Sequence, residues 1–177
     1  MSRATALLTL AALASAATGA AVAADATADA PCAAAQYHQL DFWLGDWDVY
    51  DVDGAPSPVA RAHITRRLEG CVVHELYESA DATGTRGESF SIFDRTRGVW
   101  HQTWVTNRGR LLLIEGGLKE QRVVLQGSYL AADGRRTQIR GFWWPVSEGV
   151  RERAETSTNG GRSWQPAFDL IFKPHRG

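Results

Sequence analysis

The chain is poor in the residues and patterns that most cofactor and polyanion chemistry requires. Its 177 residues carry 19 basic and 20 acidic side chains, a net charge of -1. No stripe of one sign is available to hold nucleic acid or anionic lipid, so partners are expected to be small molecules or other proteins. The five histidines, His38, His63, His74, His101 and His175, are scattered singly, and neither His-x-His nor His-Glu-x-x-His occurs. No metal and no cofactor is therefore expected. Nucleophile elbow, P-loop and Gly-x-Gly-x-x-Gly are missing as well, and Ser89, Ser91 and Ser128 stand on strands without an identifiable base. Cysteine is reduced to Cys32 and Cys71.

Long apolar runs are confined to the amino terminus. Arg3 precedes an alanine-rich run from Ala6 to Ala17, broken only by Thr9 and Ser15, and Ala21-Val22-Ala23-Ala24 supplies small residues for cleavage before Asp25. This is the pattern of a secretory signal peptide over residues 1–24. An uncleaved anchor is the alternative, but the run is not leucine-rich and no basic residues follow it. Cys32 follows Ala30-Pro31, which makes a poor lipid-attachment box. The mature protein is expected in the periplasm or outside the cell, with no membrane association after cleavage, 18 basic against 20 acidic residues, and one domain. In an oxidising compartment the two cysteines are expected as a disulfide stapling the amino-terminal segment to the start of a strand, with two unrelated buried thiols as the alternative.

Residues 25–31 have nothing to bury and read as a flexible lead-in, leaving 32–177 for the fold. Ala33 to Leu44 is compatible with a short helix stopped by Gly45. After it, turn signals recur at strand-like spacing: Asp53-Gly54, Glu69-Gly70, Thr83-Gly84, Asp94 to Gly98, Asn107-Arg108-Gly109, Lys119-Glu120, Asp133-Gly134, Ser147-Glu148-Gly149 and Asn159-Gly160-Gly161. Between them lie ten strands, near residues 46–52, 59–68, 71–79, 86–93, 99–106, 111–118, 122–130, 137–146, 150–158 and 164–173. The expected fold is all-β, an antiparallel up-and-down barrel of about ten strands with a short helical plug; a Greek-key sandwich is the alternative.

Alternation sorts the faces. Trp47 and Val49 share one side of the first strand. Trp100, Gln102 and Trp104 share a face, Glu75 alternates with Val73 and Tyr77, and Val123, Leu125, Gly127 and Tyr129 read as inward. Arg151, Arg153 and Glu155 must face water, so Glu152, Ala154 and Thr156 face in, and Phe168, Leu170 and Phe172 do likewise. Phe142, Trp143 and Trp144 load both faces of their strand, which suggests a bulge before Pro145 or an outward aromatic covered by something else.

The opening Asp41-Phe42-Trp43-Leu44-Gly45-Asp46-Trp47 resembles that of a family of secreted bacterial calycin-like proteins of unknown function, and Gly45-x-Trp47 resembles the motif that opens calycin barrels generally, the lipocalin and fatty-acid-binding superfamily. Gly70-Cys71-Val72-Val73-His74-Glu75 and Trp100-His101-Gln102-Thr103-Trp104-Val105 extend the resemblance, and Ser157 to Trp164 is similar to an Asp-box hairpin, a folding device. The resemblance implies a calycin-like barrel and no established activity. His175, in the tail after Pro174, is out of place for the inward ligand of a haem barrel of the nitrobindin kind.

Candidate site residues are the polar groups expected among inward aromatics. Trp47, Trp100, Trp104 and Trp143 would line a ligand's apolar body, and Glu75, Gln102, Arg140 and Glu152 would orient its polar end. An unpaired carboxylate there must take a raised pKa or find a partner, and Arg140 is the simplest partner for Glu75 or Glu152. Such a pair could also merely satisfy itself, and Arg140 could instead stack on Trp47 to close the barrel. The leading expectation is a small, largely apolar ligand, aromatic or lipid-like, since seven tryptophans exceed what such a core needs. An enzyme, an isomerase, cyclase or hydrolase with Glu75 or Glu152 as general base and Arg140 stabilising an anion, is the second reading. An envelope protein-interaction domain anchored by Trp144 or Trp164 is the third.

Overall fold

A computed structural model describes residues 30–176; the signal peptide read over residues 1–24, and most of the lead-in, lie outside the described residues. Ten strands follow one another: β1 Gly45–Asp51, β2 Ala60–Arg67, β3 Val72–Ser79, β4 Arg86–Asp94, β5 Val99–Thr106, β6 Leu111–Lys119, β7 Arg122–Leu130, β8 Arg136–Val146, β9 Gly149–Ser157 and β10 Gln165–Pro174. Each bound falls within one residue of its expected place. Every strand pairs antiparallel with its neighbours in sequence, and β1 pairs with β10 to close the ring. Closure removes the sandwich alternative and leaves no exposed sheet edge.

The expected short helical plug is present, in a tighter form. In place of one helix from Ala33 to Leu44 there are two 3-10 turns, Ala35–His38 and Asp41–Trp43. The cause is spacing: Tyr37, Leu40 and Trp43 recur every third residue, the period of a 3-10 helix, and all three are buried. Arg66 on β2 fastens this segment by donating to the carbonyls of Tyr37 (2.9 Å) and Gly70 and by pairing with Asp41. Trp43 packs on Phe172 and Trp143, with ring centroids 5.9 and 6.3 Å apart. Gly45 then turns the chain into β1 at a φ of +144°, a conformation that side chains rarely adopt.

Cys32 and Cys71 form a disulfide with a Cα–Cα distance of 5.1 Å, tying the plug segment to the start of β3. The amino-terminal segment, the start of β1 and the end of β10 therefore share one pole of the barrel, where the His175 amide donates to the Asp46 carbonyl (2.9 Å). The opposite pole is the mouth, bounded by the loops that follow β1, β3, β5, β7 and β9.

The inward alternation holds for β5, β7 and β9, and β8 resolves in the same way. Ile139, Gly141 and Trp143 face in, while Arg140, Phe142 and Trp144 face out. No bulge precedes Pro145, which stays in register with Val150. The outward aromatics are covered by guanidinium groups, with Arg122 4.6 Å from the Trp144 ring and Arg140 5.5 Å from Phe142. The register shift lies instead in β10, between Pro166 and Phe168.

Candidate functional site

The barrel is solid near the plug, where Val49, Ile64, Trp100, Val123 and Phe172 are almost fully buried. Toward the mouth the filling stops, and a cavity of about 340 Å³ opens. Leu112, Ile114, Ile139, Ala154 and Leu170 give it aliphatic walls, and Tyr77, Trp104, Trp143 and Phe168 give it aromatic ones. Its polar lining is Glu75, Gln102, Glu152 and, from the β5–β6 loop at the mouth, Arg110. The Arg110 guanidinium lies over the Tyr129 ring, 5.2 Å from its centroid.

Glu75 and Glu152 come from nearly opposite walls, since β3 and β9 are separated by β2, β1 and β10 around the ring. Ser89, directly across from Glu75 in register, donates its hydroxyl to Oε2 of that carboxyl at 2.9 Å. Burial outweighs this bond and pushes Glu75 up to about 7. Burial also raises Glu152 well above the carboxylate range, and the charge of Glu75 adds to it. Trp143 Nε1 lies against Glu152 and holds its pKa down a little without a well-formed hydrogen bond. Tyr77 is pushed to about 12 by burial, then by Glu152, Glu75 and Asp81, so its hydroxyl stays protonated. The common cause is burial of two acids in one apolar lumen, whose one cation among the described residues is Arg110 at the mouth.

Of the eight expected site residues, Glu75, Gln102, Trp104, Trp143 and Glu152 meet at this cavity. Trp47 and Trp100 face inward but lie deeper, in the solid part. The Trp47 indole donates to the Trp43 carbonyl (2.9 Å) and the Trp100 indole to Gln39 Oε1 (3.0 Å). Arg140 is outside the barrel, which corrects both roles considered for it. Its guanidinium donates to Glu155 Oε2 at 2.6 and 2.8 Å and stacks on Trp164 at 4.1 Å, so it pairs with neither inward glutamate and does not reach Trp47. Ser89 has an acidic neighbour after all, in Glu75, while Ser91 accepts from the Gln102 amide at 3.0 Å. Tyr77 and Arg110 were not expected at the site. Tyr77 shares the alternation of Glu75, which was sufficient to find it; no periodic signal marks Arg110, a loop residue.

Two glycines shape the walls. A Cβ on Gly87 would lie 2.2 Å from the Trp104 ring, and one on Gly141 would lie 2.4 Å from the Trp143 ring. Each indole thus occupies space that a side chain on the glycine would need. Gly141→Ala is expected to push Trp143 off its seat and to lower the unfolding free energy in urea by about 1–3 kcal/mol. An unchanged unfolding curve would show that the ring has a second place to go.

The Ser157–Trp164 hairpin is held by its own polar groups. Asn159 Oδ1 accepts from the Ser163 amide (3.0 Å), and Ser157 Oγ accepts from the Gly161 amide (3.0 Å). Trp144 and Trp164 are half-buried beneath arginines and are not free anchors. Exposed apolar residues of the wall lie elsewhere and include Leu76 on β3, Phe90 and Ile92 on β4, Val105 on β5, Leu111 and Leu113 on β6, and Leu130 on β7. Among the described residues no group of three His, Cys, Asp or Glu side chains is placed to hold a metal ion. No protein-family model matches the chain, and no curated protein matches it.

Proposed function

We infer that this chain is an exported, calycin-like receptor that takes a small, largely apolar ligand through the mouth of the barrel. The observation that carries the reading is the cavity itself, about 340 Å³ with aliphatic and aromatic walls and a few hydrogen-bonding groups. That volume lies at the small end of ligand sites, about 300–1,000 Å³, and suits a compact guest rather than a long lipid chain. The signal-peptide pattern and the disulfide support an oxidising compartment, periplasmic or extracellular. Trp104 and Trp143 stand in the wall, so titration with N-phenylnaphthylamine, a neutral apolar fluorophore, is expected to quench the protein's tryptophan emission saturably with one site. A linear, unsaturable response would remove the receptor reading.

The carboxyl pair favours a second reading, an enzyme that uses Glu75 as general base, because a carboxyl at about 7 is matched to proton transfer near neutrality. With Arg140 outside, Tyr77, Gln102 and a protonated Glu152 would be the groups available to a developing anion. This reading requires that a bound compound be converted and that Glu75→Gln stop the conversion. Recovery of every bound compound unchanged by mass spectrometry would count against it.

A further inference from the structure

We propose that the ligand's polar end is a cation, a protonated amine on a compact apolar or aromatic body, received between Glu75 and Glu152. This rests on the receptor reading and narrows it to a ligand class. The two acids project into one lumen from nearly opposite walls, and among the described residues no lysine or histidine lines that lumen. The remaining basic group, Arg110, is placed at the mouth over Tyr129. Glu75 has one neutral donor, the Ser89 hydroxyl, and Glu152 has the Trp143 indole beside it without a formed bond. Such an arrangement leaves acceptor capacity unmatched inside an apolar shell, and leaves any negative charge the pair takes on without an adjacent counter-ion.

An ammonium group matches both deficits. It brings the missing positive charge and three N–H donors, while its hydrocarbon body occupies the apolar walls. The rings of Tyr77, Trp104 and Trp143 line the same space and offer electron-rich faces to a cation. A carboxylate or phosphate ligand would instead place a further negative charge beside two acids. When the amine enters as its cation, protons held by the carboxyls leave to the buffer, so affinity rises with pH as the pair ionises. Among the described residues, the other charged or titratable groups around the pair are Tyr77, which stays neutral, and the Arg110 guanidinium at the mouth.

The test uses three probes of nearly equal shape: phenylbutylamine, phenylbutanol and phenylbutyrate, titrated calorimetrically into the disulfide-intact protein. At about pH 8 the amine is expected to bind tenfold or more tightly than the alcohol, with the carboxylate weakest. Its affinity is expected to fall on going to about pH 6, and binding to release protons, seen as a heat that varies with the ionisation enthalpy of the buffer. In the Glu75→Gln, Glu152→Gln double variant the amine-to-alcohol ratio should fall toward one. Equal binding of amine and alcohol, tighter binding of the carboxylate, or failure of all three while N-phenylnaphthylamine still enters would overturn the cation and leave the receptor standing. Failure of N-phenylnaphthylamine as well would remove both.

Discussion

Replacing Glu75 and Glu152 together by glutamine is expected to flatten the fall of stability that otherwise accompanies rising pH above about 4.5. The Glu75 carboxyl titrates near 4.5 in the unfolded chain and near 7 in the barrel. Below 4.5 both states are protonated and the full stability is present. Between these values the unfolded chain has lost a proton that the folded chain retains, so stability falls as pH rises, and above about 7 the loss from this group is complete. The interval corresponds to about 3 kcal/mol. Glu152, raised by the same burial and by its neighbour's charge, adds to the loss in the same direction. Urea unfolding of wild type at about pH 5 and about pH 8.5 should show a drop of at least that order, and the double variant should show much less of it. The glutamine amides bring N–H groups that also need partners, but that cost is the same at both pH values, so the difference between them isolates the carboxyls. Equal drops in the two proteins would mean that the acids are not desolvated.

Reduction of the disulfide, or Cys71→Ala, is expected to lower stability by about 4 kcal/mol, the loop-entropy value for a bridge closing about 40 residues. The effect should be larger than that of most single surface substitutions because the bridge restrains the plug, whose 3-10 turns have no side-chain caps of their own. With Cys32 free, Tyr37, Leu40 and Trp43 are held at the pole by packing, by Arg66, and by the Trp47 and Trp100 indoles that donate to the Trp43 carbonyl and to Gln39. Unfolding midpoints with and without reductant measure the loss, and mass before and after reduction verifies that the starting material was bridged. A loss under about 1 kcal/mol would place the stabilisation of the plug in Arg66 and the buried aromatics instead.

How much of this was legible in the residues depends on the kind of information each step needs. Strands were legible because turn residues mark their ends and because inward and outward positions alternate. Glu152 could be placed inside from Arg151, Arg153 and Glu155 alone. Arg140 was misplaced because Phe142, Trp143 and Trp144 mask the alternation of β8, and because an inward acid makes an inward base attractive on chemical grounds. Its true partner, Glu155, lies directly across in register on β9, a pairing visible only once strand register is known. Depth was illegible for a different reason. Alternation says that Trp47, Trp100, Trp104 and Trp143 all point inward, but height along the barrel axis decides which of them meet empty space, and height follows from the stagger of neighbouring strands. The short helical plug before Gly45 was legible, but its division into two 3-10 turns was not, since neither turn carries a side-chain cap to mark its start.

The shared pole of the amino-terminal segment and the β10 tail has a practical consequence. His175 is bound at the plugged end, its ring 2.9 Å from Asp48, and the bridged segment at Cys32 emerges on the same side. A tag, a tether or a biosensor surface coupled through either end of the folded domain therefore stands a full barrel length from the mouth. Immobilised protein should present its opening to solution, with guest exchange unobstructed by the support.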